Sequence, residues 1–230
     1  MVAAMFKASY NFLYDSNIVG GVYGTAFFIN GSVALTANHF FNSLEFRPNK
    51  GFSYCKFWLL LENGQIIEIK KDYLESFPNV DTTKICFPSI VYKDILNHKT
   101  TIAKNGDKFI LKGFLASVLE NPNPRVNLNW NEQGELVVSS FNLDSVISTQ
   151  EGVIEEVKNI CLDKPDVKIN GKKYLTLSCS GSKGLSGAPL VKFDTGEIIG
   201  LMSYGLPEDV TYKEKLFAIS IDEVEKEINI

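Results

Sequence analysis

A chain of 230 residues, 45% hydrophobic and 22% charged, has the apolar mass for one large core or two smaller ones. Its formal net charge of -4, with Lys and Arg scattered, gives no basic field to recruit nucleic acid. No apolar run reaches the roughly 18 residues that a membrane helix needs.

The opening segment, Met1 to Tyr10, mixes one Lys into an apolar pattern that Asn11 and Asp15 soon interrupt, which makes a poor signal peptide. Short β-forming runs separated by turn signals follow. Asn30-Gly31 divides Phe27-Phe28-Ile29 from Val33-Ala34-Leu35, and Asn63-Gly64 divides Phe57-Trp58-Leu59-Leu60-Leu61 from Ile66-Ile67-Glu68-Ile69. Asn121-Pro122-Asn123-Pro124 is the clearest break and reads as a linker, which splits the chain into 1–118 and 119–230. Beyond it, Asn170-Gly171 and Asp194-Thr195-Gly196 each separate two further apolar runs. Asn-Gly between β-formers predicts two-residue hairpin turns, because both central residues of such a turn need positive φ. Many short strands with turns at this spacing predict an all-β barrel or sandwich. Ile221, Val224 and Ile228 share one face of a short C-terminal helix.

Cys55, Cys86, Cys161 and Cys179 form no C-x-x-C, and with only His39 and His98 beside them no zinc spacing arises. Buried reduced thiols in a cytoplasmic protein fit better than a disulfide framework.

Two segments carry chemistry. Val33-Ala34-Leu35-Thr36-Ala37-Asn38-His39 places a His at the end of an apolar strand. Lys183-Gly184-Leu185-Ser186-Gly187-Ala188-Pro189 surrounds a Ser with small residues. Glycines on both sides let the backbone bend tightly and bring a substrate carbonyl close. The amides of Gly184 and Ser186 can then point at one spot, as an oxyanion hole requires. Either segment alone is common in ordinary turns.

Together, "LTANH" and "GLSGAP" resemble the segments around the base and the nucleophile of the trypsin-like serine peptidases. Gly24-Thr25-Ala26-Phe27-Phe28-Ile29 resembles the strand before the His hairpin, and Ile199-Gly200-Leu201-Met202-Ser203-Tyr204-Gly205 the strand that pairs with extended substrate. Leu216 to Ile221 is similar to the closing strand of the bacterial high-temperature-requirement branch.

The resemblance implies two antiparallel six-stranded β-barrels with a short C-terminal helix, His39 and Asp81 on the first barrel and Ser186 on the second. It implies an endopeptidase acting through an acyl-enzyme, with Ser186 as nucleophile, His39 as general base, Asp81 as the group that orients the imidazole, and no metal or cofactor. Asp81 is preferred for its place before an apolar strand; Asp72, Asp94 and Asp107 are the competitors. Its following pair, Thr82-Thr83, departs from the family's apolar-Ala pair.

The resemblance puts the pocket floor on Ser180, with Gly181, Ser182 and Lys183 beside it, and makes Ser203, Tyr204 and Gly205 the residues whose backbone pairs with extended substrate. A residue of that kind at 180 predicts a neutral primary pocket. Partners are then an extended peptide or protein substrate and a regulatory partner. A silent binding module on the same fold and a Ser esterase are the other readings. Ile18-Val19-Gly20-Gly21 copies the N-terminus of activated digestive proteases, but Leu185 stands where they have the pairing Asp, so activation by that route is not expected.

Overall fold

The computed structural model describes residues 2–11, 18–44, 48–89, 91, 99–118, 125–164, 167–179, 182–205 and 216–229. Seven strands of the first part build one antiparallel sheet: β1 (Val2–Tyr10), β2 (Ile18–Asn30), β3 (Val33–Ala37), β4 (Tyr54–Leu61), β5 (Ile66–Ile69), β6 (Leu74–Phe77) and β7 (Thr82–Cys86). Their order is β5-β4-β1-β2-β3-β7-β6. β1 lies near the middle, and all its residues are buried. A strand covered on both faces reads as a nearly continuous apolar run, which is what Val2-Ala3-Ala4-Met5-Phe6 supplies. Ile18 to Gly21 pair with Tyr10 to Lys7 inside this sheet, so the segment that copies an activation site is strand interior.

β8 (Lys108–Phe114) lies before the expected boundary at residue 118, yet it bonds into the second sheet. β9 (Ser117–Val118) returns to the first sheet and pairs with β2. A separate hairpin, β10 (Arg125–Trp130) and β11 (Leu136–Asn142), stands apart from both sheets. Then come β12 (Ile147–Lys164), β13 (Val167–Leu177), β14 (Pro189–Lys192), β15 (Ile198–Gly205) and β16 (Leu216–Ser220). With β8 they close a barrel in the order β12-β13-β16-β15-β14-β8. The all-β character expected from sequence is therefore present, as one closed six-stranded barrel and one sheet whose edges, β5 and β6, are not paired among the described residues.

The turn signals divide into two outcomes. At β2–β3 a two-residue hairpin forms, but one residue later than read: its loop residues are Gly31 and Ser32, neither at positive φ, because Asn30 stays in the strand and its side-chain oxygen accepts the Ser32 N–H at 3.0 Å. At β4–β5, Gly64 takes φ 87° and its amide returns to Leu61 O at 2.9 Å. Asn170-Gly171, by contrast, makes no hairpin: both residues lie within β13, where the register against β12 slips between Ile160 and Leu162. An Asn-Gly pair suits a β-bulge as well as a turn: Gly171 takes φ 65°, as the glycine of one type of bulge does. The chain reversal falls instead between Lys164 and Val167.

Two apolar clusters hold the fold. One fills the first sheet through Phe6, Phe27, Phe28 and Leu59 and runs on to Tyr174, Ile219 and Val224; the other fills the barrel through Phe109, Leu111, Leu175, Leu185 and Leu190. The short helix α1 (His39–Leu44) follows β3, and α2 (Ile221–Ile228) closes the chain over the range read from sequence. α2 buries Ile221, Val224 and Ile228 and docks its acidic side on β13, with Lys173 Nζ 2.6 Å from Asp222 Oδ2. No helix among the described residues is long and apolar enough to cross a membrane.

Candidate active site

β3 ends at Ala37, the chain turns at Asn38, and His39 opens α1 with its side chain 17% exposed. Asp81 sits one residue before β7, the partner of β3, and its carboxylate is 1% exposed. It adopts the left-handed conformation, φ 42° and ψ 42°, which Asp tolerates better than most residues because its short polar side chain bonds locally. Both of its main-chain groups are pinned: the amide donates to Pro78 O at 3.2 Å, and the carbonyl accepts the Asn38 amide at 2.9 Å.

Three donors meet the carboxylate. Oδ1 accepts the His39 main-chain amide at 2.9 Å; Oδ2 accepts His39 Nδ1–H at 2.8 Å and the Ser203 hydroxyl at 2.5 Å. A carboxylate taken out of water is costly unless its lone pairs are used, and here they are. Because an ionised carboxylate only accepts, Nδ1 must carry the proton, and Nε2 is left as the acceptor. Of the competing carboxylates, Asp72 is exposed on a short turn and Asp107 pairs with Lys192 at 2.9 Å; Asp94 lies outside the described residues.

The residues around this pair carry it. Asn38, buried, accepts the Thr83 hydroxyl at 2.9 Å and the Ser76 hydroxyl on the same oxygen. Thr82 donates to Val80 O at 2.8 Å. The two threonines that depart from the resembled pattern thus brace the turn holding Asp81. Tyr174 is buried close to Ser203, and its phenol is pushed far above the ordinary range, by burial first, against a pull from Ser203 and with a lesser push from the Asp81 carboxylate. The Ser203 proton is committed to Asp81, and among the described residues Tyr174 Oη makes no hydrogen bond of good geometry.

The Ser186 loop is fastened to the first sheet. Thr25 N–H donates to Ser186 O at 3.0 Å. Gly187 lies so close to β2 and β3 that an added Cβ would stand 2.0 Å from Thr25 O and 3.0 Å from Ala37 N, two residues before His39. Gly184 and Gly187 have φ 98° and 82°, so any other residue would be strained there as well as crowded. The amides of Leu185, Gly187 and Ala188 are used inward, on Ser182 O at 3.3 Å, Met202 O at 2.6 Å and Leu185 O at 2.9 Å. No described main-chain acceptor takes the amides of Gly184 and Ser186.

Of the residues assigned to the pocket, Ser182 and Lys183 are exposed beside this loop. Ser180 and Gly181 lie outside the described residues. Tyr204 and Gly205 stand on β15 opposite Phe217 and Leu216. Ser203, read from sequence as a substrate-binding residue, turns its hydroxyl to Asp81. Sequence reasoning passed over that bond and over Thr25 and Asn38. The only trace of them was the polar residue in each of three otherwise apolar or Gly-rich segments.

Gly24 has a local role that can be tested. A Cβ there would stand 2.2 Å from the ring of Phe40, whose centroid is 4.8 Å from that of His39. Gly24→Ala is expected to cost about 1–3 kcal/mol by overpacking. Denaturant unfolding of the variant measures this, and an unchanged midpoint would contradict it.

No protein-family model and no curated protein sequence matches the chain. Solved structures do. The HtrA-type protease AlgW, solved with a tripeptide, superposes with a TM-score of 0.58 at 16% identity, covering 98% of this chain and 57% of AlgW. The Rv3671c protease of M. tuberculosis, in its active form, gives a TM-score of 0.58 at 15% identity over 98% of this chain and 79% of its own. A serine endoprotease from Yersinia pestis gives 0.52 at 16% identity over 97% and 60%. The chain therefore spans little more than half the length of AlgW, and at these identities the likeness is one of fold: that of the HtrA-type, trypsin-like serine proteases.

Proposed function

We propose that the chain is a serine endopeptidase with His39, Asp81 and Ser186 as its triad. The observation that carries the reading is the buried Asp81 carboxylate with three donors, two of them from His39. The fastening of the Ser186 loop beside the strand that ends at His39 supports it further.

In this reading His39 Nε2 takes the Ser186 proton as the hydroxyl attacks a peptide carbonyl, and returns it to the leaving amine. Asp81 holds the imidazole in the Nδ1–H form and stabilises the cation that develops. The amides of Gly184 and Ser186 receive the oxyanion, and each such donor is worth about 10²–10³ in rate. Water then releases the acyl group by the same steps in reverse roles.

The proposed division of the chain remains 1–118 and 119–230, the first carrying His39 and Asp81 and the second Ser186, with β8 crossing into the second barrel. The full two-barrel architecture belongs to the same proposal. So does a neutral primary pocket around Ser180, Gly181, Ser182, Lys183, Ser203, Tyr204 and Gly205, since Ser180 contributes no charge. The substrate is an extended peptide or protein, as fits a fold whose AlgW representative was solved with a tripeptide. A narrow substrate or a regulatory partner follows from a cytoplasmic setting, which the four free cysteines suit.

Labelling the folded protein with a fluorophosphonate tests the reading, and a randomised peptide library then reports the pocket. Stoichiometric labelling and cleavage after small or apolar residues are expected. No labelling of the folded chain would favour a binding module, and cleavage after Arg or Lys would refute the neutral pocket.

A further inference from the structure

Thr25 lies inside β2, fully buried, where an apolar residue would serve packing alone. All of its polar groups are engaged instead. Its amide donates to Ser186 O at 3.0 Å, and its carbonyl accepts the Thr36 hydroxyl at 2.7 Å. Its own hydroxyl donates to Gly184 O at 3.0 Å and accepts the Phe114 amide at 2.9 Å. Two of these bonds end on the nucleophile loop, at the residues on either side of Leu185. The third reaches β8 on the closed barrel.

Gly184 needs such an anchor. A glycine at φ 98° does not hold its two flanking peptides in one orientation by its own sterics. The preceding peptide is held through Lys183 O, which accepts the Ala116 amide at 2.8 Å. The following one is held through Gly184 O, bonded by the Thr25 side chain at 3.0 Å, and through the Leu185 amide, which donates to Ser182 O at the longer distance of 3.3 Å. Release of the Gly184–Leu185 peptide removes one of the constraints on the backbone torsions of Gly184 and loosens the loop whose Gly184 and Ser186 amides the proposed function uses.

We infer that the Thr25 hydroxyl is a positioning residue for the oxyanion loop, a reading that rests on the serine-endopeptidase function proposed above. It touches no substrate. It acts by fixing the Gly184–Leu185 peptide against the first sheet while the Phe114 amide fixes the hydroxyl.

Thr25→Ser and Thr25→Ala both lose the methyl group, and only the second loses the hydroxyl. On a peptide substrate, T25S is expected to stay within about 3-fold of wild type, whereas kcat of T25A falls about 10- to 100-fold with KM unchanged. Affinity for a peptidyl boronate, whose tetrahedral adduct uses the oxyanion donors, falls by the same factor. Gly113→Ala is a second route should T25A not fold: its Cβ would stand 2.7 Å from Thr25 Oγ1, closer than to Ala188 Cβ at 3.0 Å or Leu185 Cδ2 at 3.1 Å, and displace the hydroxyl with Thr25 intact. The same loss of kcat is expected from it.

Equal kcat and equal boronate affinity in T25S and T25A overturn the inference, even where T25A melts lower. So does a G113A variant with wild-type kcat. A folded wild type that neither cleaves peptide nor takes a fluorophosphonate overturns the proposed function and this inference with it. An active wild type with an indifferent T25A overturns the inference alone.

Discussion

Ser186→Ala is expected to lower kcat on a cleavable peptide by about 10⁶-fold while KM and thermal stability stay near wild type. The size follows from what the hydroxyl does: without it no acyl-enzyme forms, and removing the nucleophile alone costs about as much as removing a whole triad. What remains is the oxyanion site and substrate binding, worth about 10³–10⁴ over water. Stability is spared because the loop is held by its main chain, through Ser186 O, Gly187 N–H and Gly184 O, none of which the substitution removes. Single-turnover kinetics and fluorophosphonate labelling of the variant check this. Retention of more than a few per cent of wild-type turnover would remove Ser186 from the role.

Asp81→Asn is expected to lower kcat by about 10⁴-fold, the loss found when an orienting carboxylate of this kind becomes an amide. The backbone should accept the change, since Asn tolerates the left-handed conformation as readily as Asp. The side chain cannot keep all three bonds. With its NH₂ at the Oδ2 position, it faces His39 Nδ1 and forces that nitrogen to accept, so Nε2 carries the proton and cannot serve as base. With its NH₂ at the Oδ1 position, two donors confront each other at the buried His39 amide. Either way the Ser203 hydroxyl loses a charge-assisted acceptor or shares a neutral one. Slowed fluorophosphonate labelling at an unchanged site, Ser186, is the expected signature; full activity at neutral pH would remove Asp81 from the triad.

The three carboxylates that compete with Asp81 in the sequence show why one line of residues left its role open. Asp72, Asp94 and Asp107 also stand near β-forming runs, and nothing local separates them. The bonds from His39, 42 residues earlier, and from Ser203, 122 residues later, separate Asp81 from those the structure describes. Thr25 is the same case, with its hydroxyl on a carbonyl 159 residues away. A hydroxyl in a buried strand reads as a packing residue until its partner is known.

Asn170-Gly171 marks a different limit. The pair offers a glycine that accepts positive φ, which serves a hairpin turn or a glycine-type β-bulge, and only the pairing of β12 with β13 selects the bulge. β8 likewise reads as a strand from its own residues, while its place in the closed barrel depends on β12 and β14.

By itself, then, the sequence determined what short-range physics controls: the strands, from apolar β-formers between turn residues, and the amphipathic helix at Ile221–Ile228. To these the resemblance added the two loops that present His39 and Ser186. Tertiary structure alone decided which strands share a sheet, which carboxylate meets His39, and which hydroxyl holds the Ser186 loop. Those outcomes rest on hydrogen bonds between groups far apart in the chain, each buried so that an unmade bond is costly, and no local pattern encodes their partners.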